Sequence, residues 1–243
     1  MSVSPVNRPV RPTYDDVIFD FCDVLVDWRP RAAVDGVVPA DVADRLFDRD
    51  DPYGFWHYDE LSDLGWSEER ILADYAAHHA AERRGITPDA ADAADAADAG
   101  EPGEPGEPGE SSELAAFRTY FARQRLALTG MLPGMADLLC DLDAAGVRCW
   151  GLTNFTVTYV DAACELFPAL GLLRDVVVSS AERIHKPDAA IYRRAVARFG
   201  VDPAHAAFVD DKQRNADAAA AAVPGLTGIR FTDAASLRAR LFA

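Results

Sequence analysis

The feature that most constrains the fold is a repeated alternation of short apolar runs with longer segments of helical periodicity. Five short runs are typical of buried strands, at residues 17–21, 147–152, 175–179, 206–209 and 227–231. Four segments with helical spacing of apolar residues follow the later runs or lie between them, at 135–146, 158–167, 188–200 and 215–223. Strands that alternate with helices predict a doubly wound parallel sheet, so the expected fold class is α/β.

The alternation stops between Arg31 and Thr129, where apolar and aromatic residues recur with helical spacing. We interpret this stretch as an α-helical cap subdomain inserted after the first strand. The predicted domains are an α/β core at residues 1–28 and 130–243 and a helical cap at 29–129. Opening of such a cap would admit a small-molecule substrate, and its closure would exclude water.

An acidic low-complexity insert lies within the predicted cap, at residues 88–113, with nine acidic residues and no lysine or arginine. It repeats Asp-Ala-Ala units and then Glu-Pro-Gly units, and a three-residue period matches neither a helix face nor a strand face. Proline and glycine at every third position also disfavour regular hydrogen bonding. We predict a solvated, disordered loop whose removal leaves the fold intact.

Charge and composition exclude several classes of partner. The net charge of −16 argues against nucleic acid and anionic membrane, because both are polyanions. No apolar run reaches membrane-spanning length, and the first residues lack the apolar region of a signal peptide. The four cysteines form no CxxC pair, so we expect reduced thiols in a cytoplasmic protein.

Polar residues stand just past the ends of the predicted strands. Because the carboxyl ends of parallel strands meet at one edge of a sheet, we expect these side chains to converge. Carboxylates so close repel unless a cation is present, and hard carboxylate oxygens suit Mg²⁺. The converging residues are Asp20 and Asp23, Thr153 and Asn154, Asp210 and Asp211, and Lys186 before a predicted helix.

These residue types together suit phosphoryl transfer. A carboxylate can attack phosphorus, a hydroxyl and a lysine can bind phosphoryl oxygens, and Mg²⁺ can neutralise the repulsion between them. Each residue alone has a structural explanation as a turn former or helix N-cap, so only their co-occurrence supports catalysis. The chain has no P-loop, no GxSxG elbow and no GxGxxG after a strand, which excludes the usual nucleotide hydrolases, serine hydrolases and nicotinamide enzymes.

Four segments in order resemble the motifs of the haloacid dehalogenase superfamily. They are residues 18–25 (IFDFCDVL), 152–154 (LTN), 186–192 (KPDAAIY) and 208–215 (FVDDKQRN). The resemblance spans residues 17–231, apart from a divergent cap. It is closest to the subgroup with a helical cap between the first two motifs, which includes haloacid dehalogenases, sugar-phosphate phosphatases and the N-terminal phosphatase domain of epoxide hydrolases.

The resemblance implies catalytic roles for Asp20, Thr153 and Lys186 and a substrate-binding role for Thr153, Asn154 and Lys186. Asp20 would be the covalent nucleophile. Thr153 would bind the phosphoryl group with help from the backbone of Asn154. Lys186 would bind the substrate's phosphoryl group and steady the nucleophile.

The resemblance also implies a Mg²⁺ site and exposes a departure from the family pattern. Asp20, Asp210 and Asp211 would hold the metal, with the backbone carbonyl of Cys22 as a further ligand. Phosphatases of this superfamily have an aspartate at the position of Cys22, where it is the general acid and base. Loss of such an acid typically lowers the rate by about 10²–10⁴-fold, so we expect good leaving groups, such as acyl, anomeric or aryl phosphates, to be favoured. Asp23, one residue on, is expected to point elsewhere.

Two alternatives stay open beside a Mg²⁺-dependent phosphatase of a small phosphorylated metabolite. A haloacid dehalogenase needs no general acid, but members of the family with that activity work without metal, and Asp210 with Asp211 would repel a haloacid. A catalytically weak relative that serves as a binding or regulatory module is the second alternative, for which Cys22 is the main argument.

Overall fold

The computed structural model describes residues 12–83 and 111–242. Five of its strands form a parallel sheet in the order β5-β4-β1-β6-β7, which confirms the predicted α/β class. The chain passes from β1 outward to β4 and β5, and then returns to place β6 and β7 on the other side of β1, so the sheet is doubly wound. The described strands are β1 (Asp16–Phe19), β2 (Val26–Trp28), β3 (Leu128–Met131), β4 (Arg148–Thr153), β5 (Leu173–Val178), β6 (Ala206–Asp210) and β7 (Thr227–Arg230).

Ten α-helices are described, and the chain divides into two compact units. The first unit comprises Met1–Arg29, Asp63–Gly65 and Leu128–Ala243, and the second comprises Pro30–Ser62 and Trp66–Ala127. The helices are α1 (Ala40–Leu46), α2 (Phe55–Asp63), α3 (Glu68–Arg83), α4 (Ser112–Arg123), α5 (Met135–Ala144), α6 (Val157–Leu166), α7 (Ser179–Glu182), α8 (Ala189–Phe199), α9 (Gln213–Ala222) and α10 (Ala234–Leu241). No helix in the described ranges is long and apolar enough to cross a membrane.

Helix α8 shows how local sequence and packing agree in the first unit. Asp188 caps the helix, since its side chain accepts a hydrogen bond of 2.7 Å from the backbone of Ala190. Gly200 ends it with a left-handed backbone at φ 61°, a conformation that suits glycine. Ile191 and Ala195, four residues apart on one helix face, lie in the same buried cluster as strand residues of the sheet.

A short antiparallel pair, β2 with β3, was not predicted. Because β3 begins at Leu128, the last residues of the stretch 31–129 form a strand and not the expected helix. Val26 pairs with Met131 and Asp27 with Gly130. The Thr129 hydroxyl donates to both a carboxylate oxygen (2.5 Å) and the backbone carbonyl (2.9 Å) of Asp27. The pairing joins residues about a hundred positions apart, and three- and four-residue strands carry too few side chains for a periodic pattern.

The described part of the second unit is mainly helical and packs around aromatic side chains. Phe55 contacts the rings of Phe117 and Tyr120, with centroids 5.7 and 4.7 Å away. Helix α4 starts within the predicted insert, because Ser111 accepts a hydrogen bond from Leu114 and Glu113 pairs with Arg45. The rest of the insert, through residue 110, lies outside the described residues.

One short segment inside the helical insertion belongs to the first unit. Gly65 has φ +90°, and a Cβ built there would lie 2.6 Å from the carbonyl oxygen of Ser180. Only glycine tolerates both the left-handed backbone and this close approach. The sequence pattern did not indicate this return of the chain to the core unit.

Candidate active site

Three adjacent strands end at the same edge of the core sheet with polar side chains. Asp20 directly follows β1, while Thr153 and Asp210 are the last residues of β4 and β6. All three are buried, with exposed fractions of 5, 0 and 0%. The backbone N–H of Asp20 donates to the carbonyl oxygen of Val209, 2.9 Å away. The hydrogen bonding between β1 and β6 thus continues to Asp20 and fixes its backbone.

Lys186 joins two of these carboxylates. Its Nζ lies 2.8 Å from Oδ1 of Asp20 and 2.8 Å from Oδ2 of Asp210, and all three side chains are buried. A buried charge is tolerated when it is paired and hydrogen-bonded, which this arrangement provides. The structure therefore brings together three residues that were predicted to converge. Two of them, Asp20 and Asp210, are 190 positions apart in the sequence.

Asp210 is fixed by hydrogen bonds from its own loop and from the helix that follows. The amide of Asn215 donates to both carboxylate oxygens of Asp210 at 3.0 Å, and the backbone N–H of Lys212 donates to Oδ1 at 2.9 Å. The buried amide bonds Asp210, so it orients one of the predicted metal ligands.

Burial and the charges within the group together set the ionisation of these side chains. It raises the pKa of Asp20 from 3.8 to about 7, with Lys186 opposing the shift and Asp210 adding to it. Burial also opposes the ionisation of Asp210, but Lys186 and the surrounding hydrogen bonds lower the pKa of that carboxyl below its ordinary value. The pKa of Lys186 is raised against the effect of burial, because it faces two carboxylates. Burial raises the pKa of Asp211 as well.

The residues present fit a divalent cation. Asp20, Asp210 and Asp211 each offer a carboxylate oxygen within 4.8 Å of the others. Oδ1 of Asp211 is buried and has no hydrogen-bond partner among the described residues. Buried polar atoms normally have a partner, and anionic oxygens are the ligands that Mg²⁺ prefers. The predicted contribution of the Cys22 backbone carbonyl stays a prediction.

The side chains of Thr153 and Asn154 differ in whether their hydrogen-bonding atoms already have partners. Oγ1 of Thr153 is buried and has no hydrogen-bond partner in the described part of the chain, so it is available to an oxygen-bearing ligand. The side chain of Asn154 is instead bonded to the backbone of Lys186, at 2.8 Å to its N–H and 3.0 Å to its carbonyl. The sequence placed Asn154 at the site, with its backbone assigned to the phosphoryl group by the resemblance, but it did not indicate this side-chain contact.

Asp23 lies on the loop after β1 but does not join the carboxylate group. It has a left-handed backbone at φ 58°, which aspartate adopts more readily than most residues. Its side chain pairs with Arg29 at 3.1 Å, and Arg29 also pairs with Asp27. Arg31, the other arginine after the first motif, pairs with two carboxylates of the helical unit, Asp35 and Asp44.

The fold, the strand-end carboxylates and the buried lysine define a hydrolase of the haloacid dehalogenase type. The chain belongs to the haloacid dehalogenase-like hydrolase family, whose sequence model matches residues 14–222. The recognition made from the four motifs is thereby confirmed.

Relatives of known identity or structure agree with this assignment. A curated sesquiterpene phosphatase from Aspergillus oryzae is 30% identical over 99 residues, which cover 41% of this chain, and the match spans about half, 50%, of that protein. A haloacid dehalogenase family enzyme from Bacteroides thetaiotaomicron, crystallised with magnesium and inorganic phosphate, has a TM-score of 0.57 at 15% identity, covering 90% of this chain and 95% of its own. A dehalogenase structure gives 0.55 at 16% identity, covering 93 and 86%. At these identities the structural likeness shows the fold alone.

Proposed function

We propose that the protein is a Mg²⁺-dependent phosphatase that hydrolyses a small phosphorylated metabolite through an aspartyl-phosphate intermediate. The observation that carries the proposal is the group of three carboxylates, Asp20, Asp210 and Asp211, around the buried ammonium of Lys186. Such a group has more negative than positive charge, which favours a divalent cation and then a phosphate ester beside it.

Each residue has one role in the proposed reaction. A carboxylate oxygen of Asp20 attacks phosphorus, and the bond from phosphorus to the leaving oxygen breaks. Lys186 favours the ionised form of the nucleophile, and Thr153 donates its free hydroxyl to a phosphoryl oxygen. Water then cleaves the acyl phosphate, which releases phosphate and restores Asp20. Mg²⁺ held by Asp20, Asp210 and Asp211 would supply positive charge against the phosphate.

The relatives support this reaction class. The curated relative is a sesquiterpene phosphatase, and the Bacteroides thetaiotaomicron enzyme was crystallised with magnesium and inorganic phosphate. Two further assignments belong to the same proposal: residues 29–129 as a cap that selects the substrate, and a cytoplasmic location.

The test is hydrolysis of p-nitrophenyl phosphate and acetyl phosphate with Mg²⁺ or with EDTA. We expect Mg²⁺-dependent turnover in the wild type and none in Asp20→Asn, while Asp161→Asn, an exposed acid on α6, serves as the matched control. Halide release from 2-haloacids without metal would instead support the dehalogenase alternative. Absence of both activities would support the binding module.

A further inference from the structure

We propose that the side chain of Asn154 is a positioning residue for Lys186 and does not bind substrate. The amide donates to the carbonyl oxygen of Lys186 at 3.0 Å and accepts from its N–H at 2.8 Å. It thus bonds both backbone groups of one residue that is 32 positions away. The inference rests on the proposed function, because it assigns a role to the segment that presents the Lys186 ammonium.

The segment around Lys186 needs such a constraint. Residues 183–188 form no helix or strand, yet the ammonium must reach Asp20 and Asp210, each at 2.8 Å. A lysine side chain has a flexible four-carbon stem, so the position of its backbone decides where the charge lies. Bonding both backbone groups of Lys186 to one rigid amide fixes that position.

The loop that carries Asn154 is itself held in place. The hydroxyl of Ser179 accepts from the N–H of Phe155 at 3.0 Å and donates to its carbonyl at 3.3 Å. Asn154 directly follows Thr153, which ends β4. The amide therefore connects the strand that presents the Thr153 hydroxyl to the loop that presents the ammonium.

The chemistry of the contact requires an amide. Its oxygen faces an N–H, and its nitrogen faces the carbonyl of Lys186 and, at 3.4 Å, Nδ1 of His185. Both a donor and an acceptor are therefore needed on one planar group. Aspartate in its place would set a carboxylate oxygen against the carbonyl of Lys186. Alanine would leave both backbone groups without this partner.

The lysine content of the chain allows a direct test. Lys186 and Lys212 are the only two lysines in the sequence, and Lys212 is exposed. Protein labelled with ¹³C at lysine Cε should give two resolved signals, which Lys212→Arg assigns. In Asn154→Ala with Mg²⁺ present, we expect the Lys186 signal to move toward that of the exposed lysine. The matched control is Ser180→Ala, whose hydroxyl accepts from Val157 in the same region without touching Lys186.

Kinetics supply the second readout. Displacement of the ammonium should lower kcat for p-nitrophenyl phosphate by about 10–100-fold. KM should change less than kcat, because the ammonium acts on the nucleophile as well as on the phosphoryl group. Asn154→Asp keeps the acceptor for the Lys186 N–H, so it should move the Lys186 signal less than Asn154→Ala does. It replaces the alanine variant in the test if that variant does not fold.

The outcomes separate this inference from the proposed function. An unmoved Lys186 signal in both variants overturns the inference. If the signal is unmoved and KM is raised, Asn154 contacts the substrate directly. If the wild type hydrolyses no phosphate ester, the proposed function fails, but the lysine signal still decides whether Asn154 positions Lys186.

Discussion

Replacing Asp20 with asparagine is expected to abolish turnover and, in the absence of divalent metal, to stabilise the protein. Asp20 is 5% exposed and shares the Lys186 ammonium with Asp210, while Asp211 lies in the same carboxylate group. One buried cation thus faces several carboxylates. Asparagine keeps the size of the side chain and an oxygen that can accept from the N–H of Phe21, but it has no charge.

The size of the effect follows from the pKa of Asp20, which is raised from 3.8 to about 7. Between those two pH values the folded protein holds a proton that the unfolded chain has released. The stability that this proton confers is full below pH 3.8 and is lost as the pH rises through about 7. At about 1.4 kcal/mol per pKa unit, the upper limit of the loss is about 4 kcal/mol, and we expect Asp20→Asn to be more stable than the wild type by about 1–4 kcal/mol at about pH 8.

Urea unfolding followed by circular dichroism, at about pH 5 and about pH 8 and with EDTA or Mg²⁺, measures this difference. The stability gap should be smaller at the lower pH. Mg²⁺ should also narrow it, because a ligand at a hundred times its Kd stabilises the folded wild type by about 2.7 kcal/mol. The exposed control Asp161→Asn should show no gain at either pH. An Asp20→Asn protein no more stable than the wild type at about pH 8 in EDTA would refute the argument that Asp20 is an undercompensated buried charge.

Three further substitutions test the site and the core. Thr153→Val removes the unpartnered hydroxyl and keeps the shape, so kcat/KM for aryl phosphates should fall by about 10²–10³-fold in steady-state assays; an unchanged kcat/KM would contradict its role. Cys22→Asp places an aspartate where the resemblance implies the general acid of phosphatases, so it should raise turnover of alkyl phosphates by about 10-fold or more; a rise confined to acetyl phosphate would argue otherwise. Gly228→Ala should destabilise by about 1–3 kcal/mol or more in urea unfolding, because its Cβ would lie 2.1 Å from the carbonyl oxygen of Ala216, whereas Gly171→Ala, with nothing within 4 Å, should be neutral.

The parallel sheet was predictable because its three central strands are buried on both faces. The strand at Asp16–Phe19 has four buried residues in a row, and the strand at Ala206–Asp210 has five. Such strands appear as continuous apolar runs, which the sequence displays directly. General rules on parallel α/β folds predicted that these strands end at one edge of the sheet, whereas their order is known from the structure.

The antiparallel pair and the segment Asp63–Gly65 were not predictable, because each is short and makes its contacts with residues far away in the sequence. Val26–Trp28 is only partly buried and pairs with residues that come after the whole helical insertion. Asp63–Gly65 is three residues long, and its membership of the core unit depends on a backbone approach to Ser180. Contacts made by few residues at large sequence separation leave no periodic pattern along the chain.

In the site too, some features were predictable from the sequence and others were not. Asp20 and Asp210 were predicted to converge because the ends of parallel strands meet, and Lys186 was predicted to join them from the loop before a helix. These predictions need only the order of the elements. Which atom of Asn154 serves the site depends instead on the distance between two loops, and that distance is set by packing. An asparagine after a strand is compatible with a turn, with substrate binding or with a clamp on another loop, and each uses different atoms of one amide. The role that we propose for Asn154 therefore follows from its partners, which include the two backbone groups of Lys186.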